Sequence, residues 1–243
     1  MDHSCRELGS LRKREIVGGL LYLPMFFFGS QLLAALIVKL MGMDLKSDSV
    51  NGPVNLVYHG LNTAILGAVF LRYLTDQLRR LQDRGWALFS DLVLGGLANY
   101  GLSQLSALAV GMLLTLFDLD YFNLNQAAAD AALFRSPAFA IVTACVLAPI
   151  SEELLFRGLV FCGLYRRSRV WAYVLSMLAF SLAHVFAAMF FQPLGLTFVN
   201  LIVYLPAGFV LARTYERSGS IWSAIFLHAA LNALSMLLQG MSI

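Results

Sequence analysis

The chain has 243 residues, 59% of them hydrophobic and 13% charged, with a formal net charge of +3 and a mean hydropathy of +0.74. Soluble domains carry roughly 45–50% apolar and about 25% charged residues, so the composition excludes one or two soluble globular domains and indicates a polytopic membrane protein. The basic residues fall in small groups between hydrophobic runs and form no single patch, so nucleic acid is not an expected partner.

In chain order, residues 1–15 form a basic N-terminal segment, expected to be cytoplasmic, which ends in Arg12-Lys13-Arg14. The apolar stretch that follows reaches about residue 40. It is longer than the roughly 7–15 residues of a signal-peptide core and no A-x-A site follows it, so a retained first span is expected. Windows of about 20 apolar residues give seven segments over 16–40, 53–74, 88–117, 137–165, 170–191, 194–213 and 220–240. An eighth short or re-entrant piece fits within 88–136, and the polar loop 118–136 suits a short surface helix. The fold expected is all-α, a single transmembrane bundle over 16–243 with an intramembrane polar pocket.

Charge placement supports the alternation. Arg6, Arg12, Lys13 and Arg14, then Arg72, Arg79, Arg80 and Arg84, then Arg166, Arg167 and Arg169, then Arg213 and Arg217 fall on alternate connections, thirteen of the seventeen basic residues. The other side holds Lys39, Lys46 and Arg135, and Arg157 is inside a span. The positive-inside bias makes this N-in and C-out with seven crossings, in the cell membrane.

Cys5, Cys145 and Cys162 have an odd count and no metal spacing, and read as small apolar residues. Gly95, Gly96 and Gly101 suggest close helix packing. Asp91 reads as interfacial and His59 as a packing residue in the outer third of its span.

Ionisable groups at membrane depth are costly and are functional candidates by default. Counting about 1.5 Å per residue from the basic anchors, Glu152, Glu153, His184 and Asn232 all lie about 20–22 Å deep, and His228 about 16 Å. Three helices far apart in sequence thus deliver polar groups to nearly one level. Glu153 and Arg157 are i,i+4 and can pair, and Glu152 is turned about 100° away. His228 and Asn232 share a face at the same spacing, and Phe180 sits one turn from His184. Pro149 cannot donate to the carbonyl of Cys145, which would open the helix to water there. A buried Glu–Arg pair, or His with Asn, can also serve helix packing alone.

The stretches "EELLFR", "FSLAH" and "HAALN" resemble, in order and in separate spans, the EExxxR, FxxxH and HxxxN motifs of the CPBP (CAAX protease and bacteriocin-processing, or Abi) family. The resemblance covers about 135–240, which would be the catalytic core. It implies an intramembrane endopeptidase related to the type II CAAX prenyl endopeptidase, acting on a membrane-associated peptide or protein, lipidated or not. On that resemblance Glu152 activates water, His184 helps hold or deprotonate it, His228 and Asn232 form the oxyanion pocket, and Glu153 and Arg157 organise the site. Water activation needs a base, and the tetrahedral intermediate needs donors; these residues supply both. Ser151 has no His at helical spacing, so direct attack by water is favoured and no cofactor is expected.

Two alternatives stay open. The first is a metal-dependent membrane protease, with zinc on Glu152, Glu153, His184 and His228 although no HExxH is present. The second is a non-catalytic immunity or regulatory protein in which the polar cluster only sets helix packing. A transporter is disfavoured, since no inverted repeat or pair of broken helices is evident.

Overall fold

The computed structural model describes residues 8, 10–47, 50–82 and 85–240. Cys5, Arg6 and Arg84 lie outside the described residues. Within them the chain forms ten helices: α1 (Lys13–Leu40), α2 (Asn51–Val69), α3 (Leu71–Gln82), α4 (Gly85–Phe117), α5 (Leu124–Arg135), α6 (Pro137–Tyr165), α7 (Arg169–Val185), α8 (Ala188–Phe191), α9 (Leu194–Ser218) and α10 (Ile221–Gly240). The protein is an all-helical membrane protein.

The number of spans is lower than the hydropathy pattern suggests. Five helices (α1, α4, α6, α9 and α10) are long and apolar enough to cross a membrane, and a sixth span is added if α2 and α3 count as one. Those two are bent by 83° at Phe70. The window over 53–74 runs across this bend, and α3 instead carries a polar face with Arg72, Asp76, Arg79 and Arg80. The expected 170–191 segment also breaks. Its helix α7 has 17 residues, about 25 Å against a hydrocarbon core of about 30 Å. The apolar sequence continues through Phe191, but the chain turns after Val185 and runs into the short α8. A hydropathy average cannot see such turns.

The expected surface helix in 118–136 is α5. Asn123 caps it, its Oδ1 accepting from the Gln126 N–H at 3.0 Å. No residue of α5 is buried.

Four of the basic groups gather at one end of the bundle. Arg72 reaches Glu15 and Asp76, each at 2.7 Å. Glu216 accepts from Arg169, Arg213, Tyr165 and Tyr173. Arg217 meets Asp91 at 3.0 Å, which places the buried Asp91 at this same end. Gln77 ties the end together, donating to the Leu8 carbonyl and accepting from the Ile221 N–H, each at 2.9 Å. The left-handed Gly219 (φ 70°) turns α9 into α10 here.

The main core lies next to this basic end and contains Phe70, Tyr73, Phe156, Phe161, Tyr215 and Ile221. Two glycines matter for packing. At Gly208 a Cβ would meet the Met177 backbone at 3.2 Å, so α7 and α9 touch main chain to main chain. At Gly95 the Leu227 side chain fills the space. Around Gly96 and Gly101 the space is open, so the expected close packing belongs to Gly95 alone of those three.

Candidate active site

Helix α6 is α-helical only in pieces, and the irregularities set the site. A π-helical turn, Thr143–Leu147, comes just before Pro149, and a second, Leu154–Phe161, follows the glutamates. Such turns release carbonyls from the regular ladder and are frequent at functional sites. Side chains meet two carbonyls on the N-terminal side of Pro149, other than the Cys145 carbonyl that Pro149 cannot reach. Asn232 Nδ2 donates to the Ala144 carbonyl at 2.8 Å and Thr63 Oγ1 donates to that of Leu147 at 2.7 Å. In the second turn Ser176 Oγ donates to the Phe156 carbonyl at 2.8 Å. Ser151 Oγ bonds back to the Leu147 and Ala148 carbonyls, which occupies its hydroxyl within its own helix.

Between the two π turns sit Glu152 and Glu153. The Glu153 side chain is fully buried, and its Oε1 accepts from Arg157 and from His228 Nδ1, each at 2.9 Å. Arg157 is fully buried as well; it donates to the Gly208 carbonyl at 2.8 Å and stacks over the Phe180 ring at 4.6 Å. Sequence spacing places Arg157 beside Glu153, but nothing in it marks the link from Glu153 to His228, 75 positions away.

Glu152 faces the other way. Its Oε2 lies 3.9 Å from His184 Nε2 and 3.9 Å from His228 Nε2. That oxygen is buried and has no direct hydrogen-bond partner. The structure therefore brings His184 and His228 to one Glu152 oxygen, each imidazole a water-bridge from it. Asn232, one turn from His228, lines the same cavity. Phe180 walls it, with its ring centroid 4.4 Å from that of His184 and 5.6 Å from that of His228.

The imidazole tautomers follow from their partners. His184 Nδ1 is 2.9 Å from the Phe180 carbonyl, which can only accept, so Nδ1 carries the proton. His228 Nδ1 faces the Glu153 carboxylate and carries its proton for the same reason. In neutral rings both Nε2 atoms then present lone pairs to the Glu152 side.

The cavity is about 500 Å³ and reaches from this cluster to α5. Three further contributors lie outside the motif residues. Tyr204 stacks on His184 with centroids 4.6 Å apart and bonds to Asn123 and Asn125 at the start of α5. His59 lines the cavity, where packing in the outer third was expected, and its Nδ1 has no partner. The buried Thr143 also lines it, with an unpartnered hydroxyl. Cys145 and Cys162 sit within α6, Cys145 Sγ lying 3.8 Å from Met236 Sδ.

Metal-ligand geometry is a poorer fit. Zinc bonds of about 2.0–2.1 Å put neighbouring ligands about 3.4 Å apart across a tetrahedron, which is closer than the 3.9 Å found here. Glu153 is also taken up by Arg157 and His228. Among the described residues no group of three His, Cys, Asp or Glu is placed to hold a metal ion.

Comparison with known proteins agrees with this region of the chain. Residues 134–234 match the Rce1-like family, the type II CAAX prenyl endopeptidases. A relative in Bacillus subtilis (strain 168), named "Putative membrane peptidase YdiL", is 28% identical over 100 residues, covering 41% of this chain and 36% of that protein. No solved structure matches significantly. The matched segment begins at the end of α5 and contains all seven of Glu152, Glu153, Arg157, Phe180, His184, His228 and Asn232. The chain is a membrane protein whose residues 134–234 are similar to the Rce1-like family, and it spans about a third of the length of the curated relative it matches.

Proposed function

We propose that the chain is an intramembrane endopeptidase that cleaves an amide bond with a water held by Glu152, His184 and His228. The observation that carries this reading is the single Glu152 oxygen placed 3.9 Å from two imidazole Nε2 atoms whose other nitrogens are both tied down. At 3.9 Å a water can bridge the Glu152 oxygen to either imidazole with hydrogen bonds of ordinary length.

Proton counting then assigns roles. Water has two protons and faces three acceptors, so one member of the cluster must itself be protonated. We assign this role to His228, whose ring is held in place at Nδ1 by Glu153 at 2.9 Å. Glu152 takes one proton of the water while His184 accepts a hydrogen bond from the other, and the water oxygen bonds to the carbonyl carbon as the C=O π pair moves onto the carbonyl oxygen. The oxyanion accepts from His228 Nε2–H and from the Asn232 amide proton that Ala144 leaves unused. The C–N bond then breaks as the proton returns to the leaving amine. Oxyanion donors of this kind are worth about 10²–10³ in rate each.

The cavity chemistry supports an internal cleavage point. Among the described residues lining it, Glu152 is the only Asp, Glu, Lys or Arg. No described Lys or Arg lines it to hold a terminal carboxylate, which favours the interior of a membrane-associated peptide or protein as substrate. No metal or cofactor takes part, and the chain sits in the cell membrane with its N-terminus cytoplasmic. Replacing Glu152 with Gln tests the reading: cleavage is lost while expression and thermal stability persist. Unchanged cleavage by that variant sinks it in favour of a binding or regulatory role.

A further inference from the structure

The cavity and the basic end of the bundle lie at opposite ends of the same helices. On α10, Ile221 stands at the basic turn, whereas His228, Asn232, Ser235 and Gln239 line the cavity progressively further away. Gln239 is about 27 Å along the helix from Ile221. Helix α6 repeats the pattern in reverse, with Phe139, Thr143 and Glu152 in the cavity and Tyr165 bonded to Glu216 at the basic end. Helix α2 contributes Gly52 and Asn55 from its start, and its other end leads into the Arg72 cluster.

The cavity meets the surface at the far end. Asn125, Ala128 and Ala129 of α5 and Ser235 of α10 both line it and are exposed. Charges differ there too: Asp44, Asp118, Asp120 and Asp130 lie on that side with Lys39, Lys46 and Arg135. By the positive-inside bias, connections rich in Lys and Arg stay cytoplasmic. The other end, with the mouth, faces outward.

We propose that the cavity opens on the extracytoplasmic side and takes an uncharged, extended peptide segment presented from that face. Which side the mouth faces is independent of the peptidase reading, although what enters it rests on that reading. Amide and hydroxyl groups of Asn55, Asn99, Gln126 and Ser235 supply neutral partners for a peptide main chain. Among the described residues no Lys or Arg lines the cavity to receive a C-terminal carboxylate.

Single cysteines in a full-length background with Cys5, Cys145 and Cys162 replaced by alanine provide the test. Intact cells expressing Ala129→Cys, Ser235→Cys or, as the basic-end control, Arg79→Cys are treated with a bulky membrane-impermeant maleimide. The expected result is labelling of the first two in intact cells, with Arg79→Cys labelled only after permeabilisation. The reverse pattern overturns the proposal. Labelling of Ala129→Cys from outside is further expected to abolish Glu152-dependent cleavage; persistent cleavage with complete labelling also overturns the entry route. If no Glu152-dependent cleavage exists at all, the labelling pattern still decides the side, and only the peptidase reading fails.

Discussion

Glu153 accepts the Nδ1 proton of His228 at 2.9 Å with the same carboxylate oxygen that binds Arg157. One buried carboxylate thus neutralises a buried guanidinium and sets the orientation of an imidazole on another helix. Glu152, its neighbour in sequence, has a buried Oε2 with no direct hydrogen-bond partner.

The two glutamates should therefore respond differently to substitution. Glu153→Gln leaves the Arg157 charge buried without its partner, and breaking such a pair costs about 3–5 kcal/mol. A large fall in melting temperature in detergent is expected, along with lost activity. Glu152→Gln should melt within a degree or two of the parent, a change of order 0.5 kcal/mol or less. Equal melting shifts for the two would contradict the division of roles.

Asn232→Ala should affect both fold and rate. It strands the Ala144 carbonyl inside the π turn, costing about 1–3 kcal/mol, and it removes an oxyanion donor worth about 10²–10³ in kcat. Asn232→Asp keeps the size but cannot donate to Ala144 as a carboxylate, and should not rescue turnover. Rescue by Asp would show that Asn232 serves neither role.

Much of the site is legible in the sequence, because helical spacing reports which side chains share a face and counting from basic anchors reports depth. Glu153 with Arg157, His228 with Asn232, and the common level of Glu152 and His184 all follow from those two rules. The contact between Glu153 and His228 does not, since it depends on how α6 and α10 are rotated against each other. The π turns in α6 shift that rotation and leave no periodic signature. Residues such as His59 and Tyr204 were hidden for a related reason: each is ordinary within its own helix and gains meaning only from what the bundle places opposite. The bend at Phe70 and the turn after Val185 are invisible to a hydropathy window, because the chain stays apolar across both.

Tyr204 carries a separable test. Tyr204→Phe keeps the ring against His184 and removes the hydroxyl bonded to Asn123 and Asn125. Each lost hydrogen bond is worth about 0.5–1.5 kcal/mol, here felt locally at α5. Faster amide exchange over 123–135 is expected, with chemistry at the Glu152 cluster retained. Unchanged exchange would mean that these bonds do not hold α5.

Packing between α7 and α9 rests on Gly208. In Gly208→Ala the new Cβ would meet Met177 main-chain atoms at 3.2 Å, which cannot swing aside, and would displace the carbonyl that Arg157 binds. Overpacking of this sort costs about 1–3 kcal/mol. Gly96→Ala enters open space and should be neutral or stabilising by up to about 1 kcal/mol through helix propensity. Thermal melts of both variants check the contrast.

The most direct measurement compares the membrane peptides of cells carrying the wild-type chain with those carrying Glu152→Gln at matched abundance, with and without a strong chelator. The account predicts fragments produced only by the wild-type chain, and in equal yield when the chelator is present. Identical fragments from both forms would contradict a role for Glu152 in hydrolysis, and fragments that vanish with chelator would place a metal where a water has been assigned.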